Sequence, residues 1–146
     1  GRGEEIYPLS DALEADVVVA SPSTRVATGS VYDRLELPPV WRSPSAGVYL
    51  WTTGRTSSFP WEEVRNDLEG VVLDGWPEVA DVRHELEERR PLYTAVTGSG
   101  SAVFALYGSR RDARLTARRL EPRRWVHAGV TLPRRDAVPT VKDLPS

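Results

Sequence analysis

The order of segments along the chain predicts an α+β sandwich, a mostly antiparallel sheet with helices on one face. Three observations carry that prediction. Strand-like segments outnumber what a strict strand–helix alternation would give. Two of them, 92–96 and 102–107, are joined by the tight turn Gly98-Ser99-Gly100, which favours antiparallel pairing. Segments with helical period fall between the others, and no internal repeat is visible.

Taken in order, Asp16-Val17-Val18-Val19-Ala20 is short, β-branched and bounded by Ser21-Pro22-Ser23-Thr24, so it reads as a buried strand and a turn. Thr28-Gly29-Ser30 ahead of Val31, Tyr32 and Leu35 predicts a short helix over 28–36, with a hydroxyl at its start as the cap. Residues 37–60 break every period apart from Val48-Tyr49-Leu50-Trp51. They read as an irregular excursion with at most one strand, packed on the domain through Trp41, Trp51 and Phe59. Helical period returns at Trp61, with Val64, Leu68 and Val71/Val72 on one face, and ends near Asp74-Gly75. Asn66 and Asp67 read as structural, since a helix starting there needs a cap. Pro77 suits the first turn of a second helix that carries Val79, Val82 and Leu86 and runs to Arg90. After the two hairpin strands, 110–120 reads as a basic amphipathic helix, with Ala113, Leu115 (or Ala117) and Leu120 on its apolar stripe. Trp125 to Val130 reads as the closing strand, and 133–146 as a loose tail after a single domain over 1–132.

Composition removes several functions. The 146 residues include no Cys, which excludes a disulfide framework, a thiolate metal site and a cysteine nucleophile. His84 and His127 are the only histidines, and no paired-His spacing exists, so no metal site is expected. A net charge of −2 speaks against a mainly electrostatic nucleic-acid binder. No apolar run reaches the roughly 20 residues of a membrane span. There is no G-x-S-x-G elbow, no G-x-x-x-x-G-K-[ST] loop and no G-x-G-x-x-G fingerprint. The arginines of 110–124 could form a nucleic-acid stripe with Phe104 and Tyr107 as stacking rings. An odd spacing, however, sends those two rings to opposite faces of a strand. The chain has no Met and starts at Gly1, which suggests a processed protein or a piece of a longer one.

One loop carries chemical potential. In Thr97-Gly98-Ser99-Gly100-Ser101 the alternating glycines let backbone N–H groups turn inward, and three hydroxyls add donors. It leads into a strand and so lacks a helix dipole. On residue type alone it is either a flexible hairpin turn or a phosphate site.

Three stretches resemble one family in the right order. The first is Gly1 to Leu9, followed by Val18 to Pro22 and Ala27 to Tyr32. The second is Asn66-Asp67-Leu68-Glu69 with Pro77-Glu78, and the third is Thr97 to Ala105. Together they resemble the C-terminal half of the GHMP-superfamily small-molecule kinases, over about 1–10, 16–36 and 61–131. The resemblance implies a ferredoxin-like two-layer sandwich. It also implies the substrate lobe of a cytoplasmic kinase that uses ATP and Mg to phosphorylate a cytidine-diphosphate-linked sugar alcohol of the non-mevalonate isoprenoid pathway. The family's ATP loop and catalytic Asp and Lys lie in its N-terminal lobe. No catalytic residue is therefore assigned here, neither ATP nor metal is expected to be held by this chain alone, and the isolated chain is expected to be inactive. Its expected partners are the substrate and the missing lobe, with no nucleic acid and no membrane. By the same resemblance Thr28, Gly29 and Tyr32 fall beside the cytidine, with Gly29 where many members have Pro, and Thr97 to Ser101 fall near the phosphates. Tyr32 has two readings, a stacking ring or a core residue. A non-catalytic ferredoxin-like binding module, and the corresponding lobe of a homoserine, mevalonate or galactose kinase, are the alternatives.

Overall fold

The computed structural model describes residues 14–36 and 59–132. The expectations for the opening segment, for the excursion as far as residue 58 and for the tail from 133 lie outside those residues. Two compact units divide the described chain. One contains residues 15–36 and 65–131, and the other residues 14, 59–64 and 132.

In the larger unit β1 (Asp16–Ser21) is followed by α1 (Thr28–Asp33), α2 (Glu69–Gly75) and α3 (Pro77–Glu87). Then come β2 (Tyr93–Val96), β3 (Val103–Tyr107), α4 (Arg110–Leu120) and β4 (Trp125–Val130). The strands form one antiparallel sheet in the order β2-β3-β1-β4. β1 and β2 run the same way with β3 between them, the arrangement of a split β-α-β unit, so the ferredoxin-like expectation holds. The register places Val18 opposite Ala105 and Ala128, and Ala20 opposite Val103 and Val126.

A strand's period of two decides which side chains enter the core. Val18, Ala20, Val96, Val103, Ala105 and Tyr107 project from one face of the sheet into a cluster with Val31, Val72, Val79, Val82, Leu86, Ala113, Ala117 and Leu120 from the helices. Each fully buried Val or Leu contributes about 1.5–3 kcal/mol relative to exposure. Of the two candidates on the α4 stripe, Ala117 is the buried one. Phe104 lies on the opposite face, its ring centroid 5.9 Å from that of Tyr93.

Pro77 stands at the first turn of α3, where its missing N–H costs no hydrogen bond. Ser109 caps α4 by accepting from the Asp112 N–H, and Asp112 near the start with Arg118 and Arg119 near the end complement the helix dipole.

Two helix expectations need correction. The single helix expected from Trp61 to Gly75 is not one helix. A 3-10 turn occupies Trp61–Glu63, Val64 is extended, and α2 begins only at Glu69. The apolar spacing was helical, but Asn66 uses its carboxamide in the larger unit and takes no place in a helix. The helix expected over 28–36 ends at Asp33, and its start has no side-chain cap.

Candidate functional site

Two segments far apart in sequence meet at the C-terminal end of β1. The first is α1. Val31 is fully buried and anchors it, and the Arg34 guanidinium just beyond lies 4.8 Å from the centre of the Trp76 ring. Tyr32, next to the anchor, is 57% exposed. The side chain that enters the core is therefore Val31, and the Tyr32 ring is open to solvent. Gly29 has nothing within 4 Å of where a Cβ would sit, so its surroundings leave room for a side chain.

The second segment is the loop Thr97 to Ser101, between β2 and β3. Its two ends are tied: the Thr97 N–H donates to the Ala102 carbonyl (2.9 Å) and the Gly100 N–H donates to the Thr97 carbonyl (3.0 Å). Gly98 and Gly100 have φ of +53° and +93°. Left-handed backbone at both positions is what requires glycine there. A Cβ at Gly100 would lie 3.0 Å from Val72 Cγ1 and 3.4 Å from Val26 Cγ1, so the loop sits close against the helical layer.

Side chains join the segments. Thr28 Oγ1 and Ser99 Oγ are hydrogen-bonded at 2.9 Å. The Val26 N–H donates to Ser101 Oγ, also at 2.9 Å. The hydroxyl read from sequence as a helix cap thus bridges to the loop 71 residues on. The Gly98, Ser99 and Ser101 N–H groups make no hydrogen bond among the described residues. Three N–H donors and the hydroxyl protons not used between Thr28, Ser99 and Ser101 are an arrangement that can receive an anion.

Behind the loop stands a support that the sequence disclosed only in part. Asn66 Oδ1 accepts from the Leu68 N–H at 3.1 Å, the local turn expected of a capping residue. Its Nδ2 donates to the Val96 carbonyl (2.9 Å) and to the Gly98 carbonyl (2.8 Å). Glu69 Oε1 accepts from the Val96 N–H (3.0 Å) and from Arg83 Nε (3.1 Å). The Asn-Asp-Leu-Glu run gave the signal for a helix start, but nothing local pointed to a partner 30 residues away.

Elsewhere the basic stripe is largely engaged. Arg110 pairs with Asp16, Arg119 with Glu88, and Arg123 and Arg124 with Glu85. Tyr107 is buried and donates its hydroxyl to the Leu86 carbonyl at 2.6 Å. Among the described residues no group of three His, Asp or Glu is placed to hold a metal ion. Also among them, no helix is long and apolar enough to cross a membrane.

Known proteins share both the sequence and the fold. No family model matches the chain. It is 35% identical over 120 residues to a 4-diphosphocytidyl-2-C-methyl-D-erythritol kinase of Chlorobium chlorochromatii, covering 77% of this chain and 40% of that protein. A solved 4-(cytidine 5'-diphospho)-2C-methyl-D-erythritol kinase is 28% identical with a TM-score of 0.67, covering 89% of this chain and 47% of that one. A homoserine kinase of Cytophaga hutchinsonii, at 15% identity and a TM-score of 0.63, shares the fold. The chain spans less than half the length of these relatives. Fold and matches together make it a counterpart of the C-terminal half of a GHMP-superfamily small-molecule kinase. Within that class, the kinase it is similar to in sequence is 4-diphosphocytidyl-2-C-methyl-D-erythritol kinase.

Proposed function

We propose that this chain is the substrate-binding lobe of an ATP-dependent kinase. The full-length enzyme phosphorylates a hydroxyl of 4-diphosphocytidyl-2-C-methyl-D-erythritol in the non-mevalonate isoprenoid pathway. The observation that carries the proposal is the Thr28–Ser99 hydrogen bond. It brings a solvent-open aromatic ring on α1, and a loop whose Gly98, Ser99 and Ser101 N–H groups have no partner among the described residues, to one end of the sheet. A nucleoside diphosphate has two matching parts, a flat base and a charged phosphate chain.

In this proposal Tyr32 stacks on the cytosine, with Thr28 and Gly29 beside it in the same wall. Thr97, Gly98, Ser99, Gly100 and Ser101 lie along the phosphates, with backbone N–H groups and hydroxyls as donors. ATP supplies the phosphoryl group and magnesium the charge neutralisation that such transfer needs. Both are held by the N-terminal lobe of the kinase, which also carries the catalytic groups. The lobe by itself orients the substrate and has no turnover. A cytoplasmic setting goes with this role.

Titration of the full-length protein with cytidine diphosphate, wild type against Tyr32→Ala, tests the stacking. Loss of a base–ring stack of about 1–3 kcal/mol weakens binding roughly 5- to 150-fold. Equal affinities remove Tyr32 from the site, and ATP-dependent phosphorylation by the purified 146-residue chain overturns the division of labour.

A further inference from the structure

The geometry points to Asn66 as the positioning residue of the Thr97–Ser101 loop, setting the direction in which the Ser99 N–H is presented to a phosphate-bearing ligand. The ligand part of this inference rests on the function proposed above; the positioning part stands on hydrogen bonds alone. The single Nδ2 nitrogen has two protons, and each reaches a carbonyl on either side of Thr97: Val96 at 2.9 Å and Gly98 at 2.8 Å. A trans peptide unit is rigid and planar, so its C=O and N–H point in opposite directions. Holding the Val96 carbonyl toward Asn66 turns the Thr97 N–H the other way, and there it meets the Ala102 carbonyl at 2.9 Å. By the same geometry, holding the Gly98 carbonyl toward Asn66 turns the Ser99 N–H away from Asn66. That N–H has no partner among the described residues, and the Ser99 hydroxyl beside it is bonded to Thr28.

Asn is suited to this task. An Asp would keep the acceptor for Leu68 but set a carboxylate against two carbonyl oxygens. An Ala would keep neither interaction. The other end of the carboxamide is fixed by the Leu68 N–H at 3.1 Å, and the next turn of the chain is fixed by Glu69 on the Val96 N–H at 3.0 Å. The loop is thus clamped from the segment leading into α2 and from that helix's first residue, and its glycines, free to adopt many conformations, are held in one.

The test separates positioning from simple stability. Gly70 lies in α2 with nothing within 4 Å of a would-be Cβ, so Gly70→Ala strengthens the helix without touching the loop. Asn66→Ala, Asn66→Asp and Asn66→Ala combined with Gly70→Ala are compared with wild type by amide hydrogen exchange and 1H–15N spectra of the 146-residue chain. The Gly100 N–H, bonded to the Thr97 carbonyl, reports loop order. Its protection should fall about tenfold or more in all three variants, and Gly70→Ala should restore urea stability without restoring that protection. Asn66→Asp keeps the local turn, so its loss isolates the two donor bonds. Unchanged Gly100 protection overturns the inference, as does protection that recovers in step with stability. Cytidine diphosphate is then added to wild type and to the double variant. A shift of the Ser99 amide in wild type, with roughly tenfold weaker binding in the double variant, supports both proposals. Loop displacement without any binding by wild type overturns the functional proposal and leaves the positioning role standing.

Discussion

Replacing Gly100 by Ala should destabilise the protein far more than the same change at Gly98. At Gly100 φ is +93°, outside the small left-handed region open to L residues. Holding an alanine there costs about 1–3 kcal/mol in backbone strain. Its Cβ would also lie 3.0 Å from Cγ1 of Val72, a residue with no solvent exposure. Crowding of a close-packed core adds roughly 1–3 kcal/mol, for a total of about 2–6 kcal/mol. At Gly98 φ is +53° and nothing lies within 4 Å, so only the left-handed cost applies. That cost is about 1–2 kcal/mol. Urea denaturation followed by circular dichroism measures both. With a slope of about 2 kcal/mol/M, the Gly98→Ala midpoint should fall by about 1 M or less and the Gly100→Ala midpoint by roughly 1–3 M. Val72→Ala removes the methyl group that the new Cβ would meet. The double variant should therefore be less destabilised than the sum of the single changes, by about 1 kcal/mol. Equal costs at the two glycines, or strict additivity with Val72→Ala, would refute the close approach of loop and helix.

Tyr107→Phe should lose about 1 kcal/mol through the hydrogen bond to the Leu86 carbonyl, measured by urea titration near neutral pH. Burial pushes the Tyr107 phenol above its usual 10.0, so the folded state favours the protonated form. The resulting stability is full below pH 10.0 and is lost as pH rises through the folded pKa. The phenylalanine variant should show a shallower alkaline decline; Tyr93, also raised by burial, keeps the remainder. Arg90 has φ of +47° just after α3, so Arg90→Gly should raise stability by about 1 kcal/mol. An unchanged or lowered thermal midpoint would contradict that expectation.

Much of this fold was legible because its signals are local. Val17 to Ala20 is a β-branched run, Pro77 marks a helix start, and Gly98-Ser99-Gly100 a turn. Each of these acts within one turn or one strand, where neighbouring residues fix the outcome. The helix expected from 61 to 75 failed for the opposite reason. Val64, Leu68 and Val71 keep a helical spacing, but the Asn66 carboxamide reaches Val96 and Gly98 and holds the chain out of a helix there. Thr28 failed as a cap in the same way, because its hydroxyl bonds to Ser99.

The sequence by itself determined the α+β class, the order of the strands and helices, the two apolar stripes on α3 and α4, and a tight turn at Gly98-Ser99-Gly100. These follow from backbone sterics and from periods of two and 3.6 residues. The tertiary structure decided which of Val31 and Tyr32 enters the core. It also decided that a hydroxyl on α1 and another in the loop would meet, and that Asn66 would support the loop from behind. A polar side chain carries no local mark of a partner 30 or 71 residues away. Only the antiparallel pairing of β1 with β3 and of β2 with β3 brings those ends within hydrogen-bond distance.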